Sequence, residues 1–316
     1  MLATVSGVIA LFFWSGSVAV NRSAAEKLNP LTVGSCVYLI SGALYLAGML
    51  SSRTTREKFV KLPPARTAVC VLLLTGYLVC YYLALGLSHN REEALEAGLM
   101  NHTWPAQTVV LSLLILGMKA RWTLIPGLLL ALAGSFGQAA AHGAANFHMT
   151  LPCILALFGA LHWATYSNVT RRWADSMPIT PLPLCMFAGG IVLAVLRCAF
   201  GGEDHWTREV CWEVLYSALC PSLLGYTLWE YSMRRGNIIL VVALSFLTPI
   251  FSTVISSIYW HQAVDGRIWY GCVAIILGAI ICKRSVTAPE PATAVTVPAA
   301  VTRSDSSTPQ LAEAKL

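Results

Sequence analysis

Apolar residues fall along this chain in long runs separated by short polar connectors. By eye there are ten, at about 4–20, 31–50, 67–86, 95–116, 123–141, 152–170, 183–200, 212–232, 238–260 and 268–282. At about 1.5 Å per residue, such runs approach the length needed to cross a hydrocarbon core about 30 Å thick. The pattern predicts an all-α integral membrane protein of ten transmembrane helices. An even count places both termini on one side.

The fourth run departs from the pattern, because residues 96–105, EAGLMNHTWP, place an acid, an amide, an imidazole and a proline within it. An ionised carboxylate at mid-bilayer costs at least about 2.5–3.5 kcal/mol, and Pro105 leaves the carbonyl four residues earlier without its helical donor. That side must therefore face protein or water. Asn101, Trp104, Thr108 and Ser112 follow helical spacing and predict a polar face lining a cavity, with Val109, Leu113 and Leu114 pointing elsewhere. The same stripe recurs 144 residues on: Pro105 falls on Pro249, and the four stripe positions fall on Ser245, Thr248, Ser252 and Ser256. In the same register Gly127 meets Gly271, Gly134 meets Gly278 and Tyr82 meets Tyr226. An ancestral duplication explains so many matches in one register. Five spans per half is odd, so the second half enters the membrane from the other side and the repeats are inverted. The first half is expected over 1–142 and the second over 150–284. Residues 285–316, rich in Ala, Thr, Pro and Ser, are expected to form a flexible cytoplasmic tail.

Composition narrows the class. With 56% apolar and only 11% charged residues, the chain does not suit a soluble domain of 316 residues. The formal charge of +6 does not imply nucleic acid, because the basic residues lie in connectors and no nucleic-acid module is present. With the termini cytoplasmic, 15 of the 21 Lys and Arg residues fall on the inner side, which sets the orientation. The first run lacks a basic n-region and reads as a retained helix. The ten cysteines show no C-x-x-C pair and read as small buried apolar residues, so no metal or other cofactor is expected. Enzyme motifs and ATP-binding loops are missing from the sequence, so uphill movement of a solute would draw on an ion gradient or on the solute's own.

The candidate site residues are mostly aromatic. Trp14, Tyr77, Tyr81, Tyr82, Trp104, Trp163, Tyr166, Tyr226 and Trp229 fall within the runs and, with Asn101 and His102, predict a ring-lined pocket for a flat or amphipathic solute. Glu96, read as starting a helix near the outer face, has a capping role as its plain alternative. Glu230 has pairing with Arg234 one turn later as its own. A role for either acid as a proton or amine site is the sharper expectation. Pro105 and Pro249 are the expected helix breaks and gating points. The paired glycines, seven residues apart in each half, predict close helix packing away from the cavity.

The stretch 96–105 followed by PGLLLALAG at 126–134 resembles the fourth and fifth helices of the YddG-type aromatic amino acid exporters of the drug/metabolite transporter superfamily. Trp163 and Tyr166, Gly225 and Tyr226, Trp229, Gly236 and Asn237, and Thr248 and Pro249 resemble that family's later segments in order. The resemblance covers nearly the whole chain to Arg284. It implies two inverted five-helix EamA-type halves in a bacterial inner membrane, with the first four helices of each half walling a central cavity. It further implies export of aromatic and other neutral amino acids, with Tyr77, Trp104, Pro105 and Trp163 as cavity residues. His102 stands where the family pattern has an aromatic, and Glu230 where it has an uncharged amide. A carrier for another solute, such as a cationic drug or sugar derivative, is the alternative, with a membrane enzyme or receptor behind it. The implied partners are a small-molecule solute and the lipid bilayer. Oligomeric state is left open, a monomer being compatible.

Overall fold

Helices begin where the sequence offers a cap or a proline. A computed structural model describes residues 2–141, 148–260 and 268–287. After α1 (Leu2–Ala25), the Asn29 side chain accepts the Leu31 amide and Pro30 opens α2 (Pro30–Ser51). The short α3 (Arg53–Val60) leads to α4 (Pro64–Leu87), which also opens on a proline. Asn90 caps α5 (Arg91–Asn101), and α6 (Trp104–Ile115) and α7 (Leu124–Ala141) follow. Next come α8 (Leu151–Arg172), α9 (Leu182–Phe200) and α10 (Arg208–Ser217), the last running through a π-helical turn (Ala218–Gly225) into α11 (Tyr226–Arg235). The described chain ends with α12 (Ile238–Ser245), α13 (Thr248–Trp260) and α14 (Ile268–Ser285). A two-residue ladder pairs β1 (Lys119–Ala120) antiparallel with β2 (Val286–Thr287), Lys119 opposite Thr287 and Ala120 opposite Val286. The tail was expected from residue 285, but Ser285 still belongs to α14 and Val286–Thr287 form β2; residues 288–316 lie outside the described residues.

Among the described residues, α2, α4 and α9 are long and apolar enough to cross a membrane by length and composition alone. Shorter apolar stretches occupy Leu2–Ser17 and Leu124–Gly137. Outward-facing side chains are strongly apolar: Leu72 is 70% and Leu114 is 76% exposed. Such a surface suits contact with hydrocarbon rather than water.

Three of the expected runs are not single helices. The run at 95–116 begins earlier, at Arg91, and is divided into α5 and α6; 212–232 is divided by the π-helical turn, and 238–260 into α12 and α13. Pro105 lies in the first turn of α6 rather than in a helix interior, so its missing N–H removes little helical bonding there. Pro221, which the sequence reading passed over, sits within the π-helical turn, where the ladder is already disrupted.

By contrast, α7 and α14 are unbroken and meet backbone to backbone. A Cβ added at Gly278 would come 2.5 Å from the Ala131 nitrogen and 2.7 Å from the Gly127 oxygen, and one at Gly134 would come 2.7 Å from the Gly271 oxygen. Only glycine permits that approach. At one end the Arg121 amide donates to the Ser285 carbonyl at 2.9 Å, and the Thr123 and Ser285 hydroxyls pair at 2.7 Å.

Elsewhere α2 packs on α9, α4 on α8, α1 on α11 and α13, and α5 and α6 on α8. The α1–α2 and α9–α10 connectors are tied by Asp204, which accepts from the Asn29 amide (2.8 Å), the Thr32 hydroxyl (2.9 Å) and Arg197 Nη2 (2.7 Å). Burial alone would raise this carboxyl's pKa, but the three donors together hold it below the ordinary carboxylate value.

Candidate functional site

Six helices bring their rings to one place. Trp14 of α1 lies 5.5 Å from Trp163 of α8 and 5.5 Å from Tyr226 of α11, centroid to centroid, and Trp104 of α6 lies 6.3 Å from both Trp14 and Trp163. Tyr77 of α4 approaches Trp163 at 5.5 Å and stacks with Tyr81 at 6.0 Å. Tyr38 of α2 meets Tyr226 at 5.9 Å, their hydroxyls hydrogen-bonded at 2.8 Å. Most of these contacts are edge-to-face, the arrangement favoured by ring quadrupoles. The rings surround a cleft of about 120 Å³.

The breaks in the helices furnish much of its wall. The indole N–H of Trp14 donates to the Pro221 carbonyl in the π-helical turn at 3.0 Å, which fixes the ring. Ser222 of the same turn pairs with Ser41 at 2.9 Å. Asn101 and His102 line the cleft at the α5–α6 break, and Thr248 does so at the start of α13. The Ser217 hydroxyl donates to Asn21 Oδ1 at 3.0 Å, and both residues also line the cleft.

Of the residues singled out from sequence, Trp14, Tyr77, Tyr81, Tyr82, Asn101, His102, Trp104, Trp163 and Tyr226 line the cleft. Tyr166 and Trp229 stand behind it. Tyr166 stacks on Trp163 at 5.7 Å, and the Trp229 ring lies 5.2 Å from Trp14 and 5.3 Å from Trp104, with its N–H donated to Ser167 at 3.2 Å. The polar stripe divides at the helix break. Thr108 and Ser112 return their hydroxyls to the carbonyls of Trp104 and Val109, each at 2.7 Å, and line no part of the cleft. Pro249 falls in the first turn of α13; its side chain lies outside the described residues.

Neither acid lines the cleft. Glu96 is 1% exposed and sits in the middle of α5, not at its start; its carboxylate accepts the His148 amide at 2.9 Å, just ahead of α8. The dipole it complements belongs to α8 rather than to its own helix. Glu230 is 3% exposed, accepts from Tyr166 at 3.0 Å and from the Thr180 hydroxyl, and lies 3.6 Å from Arg234 Nη1, the one-turn pairing read from the sequence. Around it, Arg234 Nη2 donates to the carbonyls of Ala174 (2.9 Å) and Met177 (3.1 Å), and Arg171 Nη1 to those of Met233 (3.1 Å) and Arg234 (2.6 Å). These bonds tie α8 and its following connector to α11. Through Tyr166, Glu230 is one side chain removed from the cleft ring Trp163.

Tyr38, Asn21, Ser217 and Ser222 are lining residues that sequence reasoning missed. Tyr38 is one of two tyrosines, with Tyr45, in an otherwise plain apolar run, and Asn21 reads as the edge of a connector. Among the described residues no Asp, Glu, Lys or Arg lines the cleft, and no group of three or more potential metal ligands occurs.

An apolar-surfaced helical bundle with a ring-lined cleft has the form of a membrane solute transporter, and a family match makes that class definite. The chain is a member of the EamA-like transporter family, whose model matches residues 1–138 and again 150–283. It is thus a transporter and not an enzyme. It is similar to the aromatic amino acid exporter YddG of Salmonella typhimurium, at 26% identity over 89% of this chain and 96% of that one. A probable terminal-alkyne amino-acid exporter of Streptantibioticus cattleyicolor is 24% identical over 83% of this chain and 84% of its own length. A crystal structure with 25% sequence identity superposes with a TM-score of 0.76, covering 88% of this chain and 95% of that one.

Proposed function

We propose that the chain is a secondary transporter of a bacterial inner membrane that exports aromatic and other neutral amino acids, or related small metabolites, by alternating access. The observation that carries this reading is the ring-lined cleft, whose walls hold hydrogen-bonding groups and, among the described residues, no fixed charge. Such a wall suits a solute that is apolar at one end and zwitterionic or neutral at the other. The names of the similar exporters point the same way.

Architecture and orientation follow on the same footing. Divided α5–α6, α10–α11 and α12–α13 count as single interrupted spans, giving ten, and α3 is a surface helix. The halves 1–142 and 150–284 are inverted repeats. In support, α1 packs on α11 and α13 much as α8 packs on α4 and on α5–α6, while α2–α9 and α7–α14 pair across the halves. With the termini cytoplasmic, the cleft opens outward and the Glu230, Arg234 and Arg171 contacts close the inner end. Glu230 then serves the inner closure and not solute binding, and Glu96 anchors the entry to α8. The breaks marked by Pro105 and Pro249 allow the half-helices to tilt as access switches.

The test is flux in liposomes holding the purified protein, with labelled phenylalanine, tyrosine, tryptophan, threonine and a cationic dye, each with and without an imposed pH gradient. Flux of the aromatic amino acids and not of the dye is expected. Flux of the dye alone would replace the proposed solute class, and flux of none would sink the carrier reading.

A further inference from the structure

The cleft wall presents one defined acceptor and one defined donor. His102 Nδ1 lies 2.7 Å from the Gly98 carbonyl. A carbonyl can only accept, so Nδ1 carries the proton and in the neutral ring Nε2 bears the lone pair. That nitrogen has no partner among the described residues, and His102 lines the cleft. It sits at the C-terminal end of α5, where carbonyls give the helix end a partial negative charge. The next proline, Pro105, has no N–H to offer the Asn101 carbonyl. This corner of the cleft favours a cation.

On α1 the polarity is reversed. Ser217 donates to Asn21 Oδ1, and the NH₂ of that amide is a donor without a partner among the described residues. Asn21 also lines the cleft. Among the described residues no charged side chain lines the same space, so a monocation or monoanion would enter uncompensated by them, whereas a zwitterion brings its own neutrality.

We infer that His102 Nε2 and the Asn21 amide form a head-group site for an α-amino acid, His102 accepting from the ammonium and Asn21 donating to the carboxylate, with the rings taking the side chain. This rests on the amino acid reading above and deepens it.

The experiment is equilibrium competition on the full-length protein in detergent, with labelled phenylalanine displaced by phenylalanine, by 3-phenylpropionate, which lacks the amine, and by phenethylamine, which lacks the carboxylate. Wild type should bind phenylalanine at least about tenfold more tightly than either analogue, since a hydrogen bond to a charged group is worth about that much. His102→Phe should remove the advantage over 3-phenylpropionate while leaving the affinity for 3-phenylpropionate itself unchanged. His102→Gln, which offers an amide oxygen, should restore much of it and controls for folding. Asn21→Asp should weaken phenylalanine and strengthen phenethylamine, inverting their order. Equal weakening of phenylalanine and 3-phenylpropionate by His102→Phe, or an unchanged order in Asn21→Asp, would overturn the head-group assignment while leaving the carrier reading intact. Failure of folded wild type to bind any of the three would instead remove the amino acid reading, and this inference with it.

Discussion

Two regions of this bundle solve opposite problems. The α7–α14 seam is continuous helix against continuous helix, with glycines letting the backbones touch. The elements around the cleft, α5–α6, α10–α11 and α12–α13, are each interrupted. Tight packing needs every backbone group bonded within its own helix, so the seam tolerates no break. A polar site in a membrane needs backbone groups that are not so bonded, and interruptions supply them, as the Pro221 carbonyl does for Trp14. Tight packing and the cleft are thus assigned to different helices.

The comparison can be broken most severely on the cleft side. Glu230→Ala should leave the Arg234 guanidinium without its acid and lower stability by about 3–5 kcal/mol. Glu230→Gln, which keeps an acceptor for Tyr166, should lose less in thermal unfolding in detergent. Gly278→Leu should cost about 1–3 kcal/mol or more by overpacking the seam, yet the fraction that folds should bind phenylalanine with wild-type affinity. Weaker binding by that fraction would mean the seam is not separate from the site. Trp163→Ala removes a ring that touches Trp14, Tyr77, Trp104 and Tyr226. It should weaken aromatic solutes roughly tenfold in equilibrium binding, each ring contact being worth about 0.5–1.5 kcal/mol, and threonine far less. Pro105→Ala should slow transport several-fold with stability changed by less than about 1 kcal/mol, because the site is a helix first turn where alanine is also accepted. Equal flux at equal surface expression would show that the α5–α6 break does not gate. The smallest effect concerns Asp204, whose carboxyl is held below its unfolded value. Its contribution is fully present above the unfolded pKa of about 3.9 and is lost as pH falls through the folded value. Asp204→Asn should therefore lower the melting temperature near neutral pH, and the difference from wild type should shrink on acidification.

The helical class, the cleft-facing rings and the glycine seam were legible because each follows a period that sequence displays directly. Gly127, Gly134, Gly271 and Gly278 announced a seam by their spacing, and Trp14 and Trp163 by their place in apolar runs. What was hidden depends on where helices stop. Thr108 and Ser112 shared a stripe with Trp104 on paper, but their hydroxyls bond within α6 and the cleft ends above them. Pro221 lay in an apolar run and gave no sign of a π-helical turn, since that turn is set by packing against α1 and α2. Glu96 was read against its own helix start, yet its partner is the His148 amide 52 residues on, a contact that only tertiary folding makes.

The four indoles of Trp14, Trp104, Trp163 and Trp229 lie so close that no two centroids are more than 6.3 Å apart. At that spacing an ultraviolet excitation received by one is shared among all four, and a solute that dims any single ring dims the group. A solute held in the cleft would then report its own occupancy over the background of the six other tryptophans, without an attached dye.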